Sequence, residues 1–169
     1  MTALYVCPLS RIDEIATASN ARSLVTLINV GTPVARPACI AADRHLFISM
    51  SDVTTPMQGH IAPAQDHVAA LLDFVRAWDR AHPVLIHCWA GVSRSTAAAF
   101  VAACALAPQR DEAEIAEAIR AASPTATPNA RFVAVADDML RRDGRMNAAV
   151  AAIGRGVDCF EGVPFSLAV

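Results

Sequence analysis

The chain has 169 residues, 54% of them hydrophobic, and a formal net charge of −2 at pH 7. That length can bury a core, and residues 1–169 read as a single domain with no linker, repeat or low-complexity tract. The charge balance argues against a nucleic-acid partner, whose binding domains are usually basic. No apolar run approaches the ~18–20 residues of a membrane span, and residues 1–10 lack the basic start and apolar segment of a signal peptide. The five cysteines are odd in number and scattered, without a C-x-x-C pair, so neither zinc nor a disulfide scaffold is expected. A reducing cytoplasm is the expected location, with no cofactor and no membrane insertion.

In chain order, residues 3–7 read as a first strand stopped by Pro8, and Ser10 reads as the N-cap of a short helix from Arg11 to Ala18. Leu24 to Val30 is apolar on both faces and rich in β-branched residues, as a strand inside a parallel sheet is. A further strand, His45 to Met50, leaves through the loop Ser51 to Pro56. Pro63 opens a long helix whose Val68, Leu71, Leu72, Val75 and Trp78 follow helical spacing, and Pro83 lies just past its end. Val84 to Ile86 is a short buried strand, and Thr96 to Ala107 has the composition of a core helix. Asp111 with Glu114 suggests a capping box. Thr127 and Pro128 open another helix, which Gly144 ends. A last helix from Met146 to Ile153 stops at Gly154, and the apolar tail is expected to pack back on the body. Strands alternating with helices imply an α/β fold, a mainly parallel central sheet of four or five strands flanked by helices.

The chemistry concentrates in His87-Cys88-Trp89-Ala90-Gly91-Val92-Ser93-Arg94-Ser95. Strand, turn and helix in that order make an anion cradle, because the turn's N–H groups converge and the helix N-terminus adds partial positive charge. A thiol in such a field, ordinarily near 8.5, is lowered to roughly 3.5–7.5, so Cys88 is expected to be a thiolate and a nucleophile. Arg94 offers a planar fork of donors matched to two phosphate oxygens. Gly91 permits a sharp turn and close approach to a ligand. Ser95 can donate to the Cys88 sulfur and help it leave in a second step. Together these suit phosphoryl transfer through a phosphocysteine.

The run His87-Cys88-x-x-Gly91-x-Ser93-Arg94-Ser95 resembles the signature loop of the cysteine-based protein tyrosine phosphatases, nearest the dual-specificity branch and of single-domain bacterial type. The resemblance implies a phosphatase domain over residues 1–169, a phosphate-binding loop from Trp89 to Arg94, and a phosphorylated protein or small phosphoester as partner. It also implies that His87 tunes the cysteine through hydrogen bonds. Pro128-Asn129-x-x-Phe132 resembles the segment opening a late helix in the same family, with Asn129 a structural residue behind the loop. Cys104, on the helix after the loop, is a candidate to protect Cys88 as a disulfide.

The leaving oxygen needs a proton, and a carboxylic acid over the cradle can supply it. Sites in open parallel sheets lie outside the carboxyl ends of the strands. Asp52, two residues past the strand ending at Met50, emerges on the same edge as Cys88. Asp43 and Asp79 belong to the opposite edge, which leaves Asp66 as the rival. The family resemblance also places its acid on a loop upstream of the cysteine. The expected activity is phosphomonoester hydrolysis, on phosphotyrosine first. The alternatives are a phosphatase of a non-protein phosphoester, a rhodanese-like sulfurtransferase and a non-catalytic phosphate-binding module.

Overall fold

The computed structural model describes residues 3–169. Its elements are β1 (Ala3–Pro8), α1 (Ile12–Ser19), β2 (Ser23–Ile28), β3 (His45–Ser49), α2 (Gln65–Arg76), β4 (Val84–Cys88), α3 (Arg94–Leu106), α4 (Glu112–Ala122), α5 (Ala130–Leu140), α6 (Arg145–Ile153) and β5 (Phe165–Ala168). They build a five-stranded sheet in the order β3-β2-β4-β1-β5. The first four strands pair parallel, and β5 adds antiparallel to β1 with Ala3 opposite Ala168. The expected mainly parallel α/β sheet is therefore present, and the apolar tail supplies its fifth strand.

Side chains alternate across a strand, so the sheet feeds two cores. One face carries Leu4, Val6, Val25, Leu27, Val84 and Ile86, packed under α2 to α6. The other carries Cys7, Leu24 and Leu85 against Ile12 and Ala16 of α1 and against Ile40 of the β2–β3 connection. Within the larger core α3 is buried on every side from Arg94 to Cys104. Its run of alanines lets neighbouring helices come close while removing a large apolar area from water. Among the described residues no helix is long and apolar enough to cross a membrane.

Local signals differ from expectation at several helix ends. Ser10 does not cap α1; a short 3-10 turn, Leu9–Arg11, leads in, and the Ser10 hydroxyl donates to Glu161 across the molecule. Asp111 does cap α4, accepting from the Ala113 amide, and no reciprocal bond from Glu114 completes a box. The helix placed at Thr127 starts after Asn129, which is its N-cap. Gly144 opens α6 instead of ending α5, whose last turn closes on Arg141 in the left-handed region. The physical reason is Asp137: its buried carboxylate accepts from the Gly144, Met146 and Asn147 amides and turns the chain there.

Candidate active site

β4 ends on Cys88 between β2 and β1, so the residue leaves the sheet at its carboxyl edge with strands on both sides. The following turn is tied outwards through its carbonyls. Trp89 accepts from the Leu9 amide at 3.0 Å, Ala90 from Gly162 at 2.8 Å, Val92 from Thr127 at 2.9 Å and Ser93 from Asn129 at 3.2 Å. Among the described residues, no amide from Trp89 to Ser93 donates to a protein acceptor. Five such unpaired N–H groups in a turn beside the start of a thirteen-residue helix are a setting suited to an anion.

Gly91 holds this turn at φ +70, in the region that favours glycine. It also lies close against β1: a Cβ there would sit 2.7 Å from the Pro8 nitrogen and 2.8 Å from the Cys7 carbonyl carbon.

Arg94 is buried, and its Nη1 donates to Asn29 Oδ1 and to the Met50 carbonyl, at 2.8 Å each. These two contacts pin the guanidinium across the ends of β2 and β3. Nε is buried without a partner, and Nη2 donates to no acceptor among the described residues. Nε and Nη2 form one edge of the guanidinium, the bidentate edge for an oxyanion. A buried unpaired donor on a cation is costly unless a ligand satisfies it.

Cys88 Sγ lies 3.1 Å from Ser95 Oγ. His87 is fully buried below it, with Nδ1 3.2 Å from the Cys88 carbonyl oxygen and Nε2 2.7 Å from Thr26 Oγ1. Burial first, then the nearby His45 and Arg94, lowers the His87 imidazole to about 4, although the Cys88 carbonyl opposes the shift. It is neutral at pH 7.

Asp52, Cys88, Trp89, Ala90, Val92, Ser93 and Arg94 line one cavity of about 330 Å³, together with Asn29 and Cys159. Asp52 Oδ1 accepts from the Ser93 hydroxyl at 2.7 Å and from Asn129 Nδ2 at 2.8 Å. Asn129 Oδ1 meanwhile caps α5 by accepting from the Phe132 amide. Asn129 thus ties the late helix to the Asp52 loop and, through its backbone, to the turn. Among the rival carboxylates, Asp79 pairs with Arg44 at the far edge, and Asp66 is exposed beside His67; neither lines the cavity. Cys104 is a correction. It lies ten residues beyond Arg94 on α3, about 15 Å at the helical rise, and burial pushes its thiol up to about 12. The cysteine that shares the cavity is Cys159, from the connection before β5.

Sequence reasoning passed over Asn29 and Cys159. A signal existed for Asn29, a polar residue just past a buried strand at the carboxyl edge where sites form. Cys159 had none, since its segment reaches the site only through tertiary contacts.

The family profile of protein-tyrosine phosphatase matches residues 48–126, a span containing Asp52 and the whole turn. Over that span, a little under half of the chain, the sequence is similar to the protein-tyrosine phosphatases. A search of curated protein sequences finds no significant match. Among solved structures, the chain is similar to DUSP15 at 18% identity and TM-score 0.64, with 89% of each chain covered. It is similar to the PTP-2 phosphatase of Cydia pomonella at 22% identity and TM-score 0.63, covering 80% of this chain and 84% of that one. A third likeness, 16% identical with TM-score 0.60, is to PTPMT1 in complex with PI(5)P, covering 90% of this chain and 93% of that one. These likenesses are of fold.

Proposed function

We propose that residues 1–169 act as one phosphatase domain that hydrolyses phosphomonoesters through a phosphocysteine on Cys88, with phosphotyrosine on a protein as substrate. The observation carrying this reading is the set of unpaired donors around the Cys88 sulfur: five turn amides and the Nε/Nη2 edge of Arg94. A phosphoryl group on Cys88 would present its three oxygens to donors that have no protein acceptor among the described residues. Oriented donors of this kind act where charge builds in the transition state.

In the first step the Cys88 sulfur attacks phosphorus, and the ester oxygen departs with a proton from Asp52. Both protein contacts to Asp52 fall on Oδ1, so Oδ2 is the oxygen left to carry that proton. In the second step the Asp52 carboxylate takes a proton from the attacking water. Ser95 donates to the sulfur as the S–P bond breaks. His87 steadies the Cys88 peptide, and Asn129 holds Asp52.

Substrate class is read from the walls. Arg94 is the one cation among the lining residues, which disfavours multiply phosphorylated inositides. Trp89 is 52% exposed and offers an aromatic face to a phenyl ring at the rim. A singly phosphorylated lipid is the second reading, favoured by the likeness to PTPMT1 in complex with PI(5)P.

The test is turnover of an aryl phosphate, then of phosphopeptides and phosphoinositides. Cys88→Ser should abolish hydrolysis while retaining phosphate-analogue binding, and one tenth of wild-type activity in that variant would overturn the mechanism. Asp52→Asn should lower kcat by ~10²–10⁴ and remove the alkaline limb of its pH profile. The assignment fails if Asp66→Asn does this instead. Sulfur transfer from thiosulfate without phosphate release would select the sulfurtransferase. Phosphate binding without turnover would select the binding module.

A further inference from the structure

The side chains behind the nucleophile form a continuous hydrogen-bonded line across three strands. Thr26, fully buried in β2, stands opposite His87 of β4 in the strand register. Its Oγ1 lies 2.7 Å from His87 Nε2 and 2.8 Å from Nε2 of His45, the first residue of β3. Beyond His87 the line ends at the Cys88 carbonyl, 3.2 Å from Nδ1. All three side chains occupy the sheet face that packs against α1 and the β2–β3 connection.

Elementary donor counting fixes every proton along it. A carbonyl oxygen can only accept, so His87 Nδ1 carries a hydrogen. A buried imidazole in the field of Arg94 and His45 is neutral, so its Nε2 is a lone pair and must accept. The Thr26 hydroxyl has one hydrogen, which therefore goes to His87. Thr26 can then only accept from His45, which must carry its hydrogen on Nε2. The order is His45 to Thr26 to His87 to the Cys88 carbonyl, each group donating in the same direction. Aligned hydrogen bonds polarise one another, and the positive end of this series points at the residue that bears the nucleophile.

We propose that Thr26 and His45 are positioning residues of the nucleophile: they lock His87 in its Nδ1–H tautomer, so that it holds the Cys88 peptide and favours the thiolate. Without the Thr26 hydroxyl, His87 either keeps a buried nitrogen unsatisfied or moves its proton to Nε2. In the second case a lone pair faces the carbonyl lone pairs and the contact is lost. The remaining groups facing His87 do not compete. Cys7 on β1, its neighbour in register, is pushed up to about 12 by burial and stays a neutral thiol. Arg94 is engaged with Asn29 and Met50, and Arg36 donates to the Ile40 carbonyl. The proposal rests on Cys88 being the nucleophile, and its test needs no turnover.

Two measurements on the full chain decide it. Long-range ¹H–¹⁵N spectra of the wild type, assigned with His45→Gln and His87→Asn, should show His87 protonated at Nδ1 and His45 at Nε2. A His87 protonated at Nε2 overturns the inference, whatever the variants do. The second is the rate of Cys88 alkylation by iodoacetamide against pH, read by mass on Cys88 itself. Thr26→Val should slow alkylation at pH 6 about tenfold and move the profile to higher pH, and Thr26→Ser should restore both. His45→Gln, which keeps a side-chain N–H donor, should stay nearer to wild type than His45→Leu. A Thr26→Val protein that melts like wild type and alkylates with an unchanged profile would overturn the proposal. Because alkylation does not depend on phosphate turnover, a failed phosphatase assay leaves this result readable.

Discussion

Arg94 divides its guanidinium between the protein and the cavity. Nη1 is spent on Asn29 and Met50, while the Nε/Nη2 edge is left to a ligand. Lysine has one nitrogen where arginine has three, so it cannot grip both strand ends and present two parallel donors. Arg94→Lys should therefore lower kcat/KM about 10²–10³-fold despite keeping the charge. The check is steady-state kinetics beside a melt showing an unchanged fold, and equal activity would mean that this edge does not meet the phosphate. The sequence makes Cys88, Arg94 and Ser95 legible because their chemistry depends on spacing within one turn. Asp52 is legible only through topology, as the carboxylate at the right sheet edge. Asn29 is harder still: it acts 65 residues upstream of Arg94, and its amide oxygen has meaning only once β2 lies beside β4.

At the scale of elements, the turn after Cys88 is held in place by its neighbours on every side. β1 lies against Gly91, the Leu9 amide takes the Trp89 carbonyl, and the connection before β5 takes the Ala90 carbonyl through Gly162. A methyl group at residue 91 meets β1 backbone at under 3 Å, which no side-chain adjustment relieves. Gly91→Ala should thus displace the turn, reduce turnover by more than tenfold and lower Tm. Gly144→Ala is the internal comparison. Its φ is +83 with nothing near the added carbon, so it should cost only the ~1–2 kcal/mol of a left-handed residue and leave kinetics alone. Equal kinetic losses in the two variants would contradict this account. The elements themselves were readable from periodicity, as the burial of Val68, Leu71, Leu72 and Val75 illustrates. Their ends were not, because the α5–α6 break depends on Asp137 reaching amides seven to ten residues ahead. β5 escaped notice for a similar reason, since four residues alternating in burial become a strand only against β1.

For the molecule as a whole, the buried line through His87 has a consequence for acid stability. In an unfolded chain an imidazole titrates near 6.5, whereas burial holds His87 at about 4 in the folded protein. Between those two values the unfolded chain binds a proton that the folded chain refuses, so stability falls as pH falls. The contribution is fully present above pH 6.5, declines through the window, and levels off below about 4. Its size is about 3 kcal/mol at 1.36 kcal/mol per unit, a large share of a typical domain's 5–15 kcal/mol. His45 is lowered as well, by burial and then by Arg36, and acts in the same sense. Two carboxylates lose their contribution at lower pH. Asp79 is held down by the Ala81 amide and by Arg44, and Glu14 by Arg11; protonating them removes stability below the usual carboxylate range. The Cys7 thiol, which also faces this line, is pushed up to about 12 by burial and stays neutral across the window. Thermal melts from pH 7 to pH 4 should therefore show a steady loss of Tm in the wild type. In His87→Asn, which removes the titrating ring and keeps an N–H donor for the Cys88 carbonyl, the same loss should be much shallower. Parallel slopes for the two proteins would mean that acid acts on this fold elsewhere than at the histidine beneath Cys88.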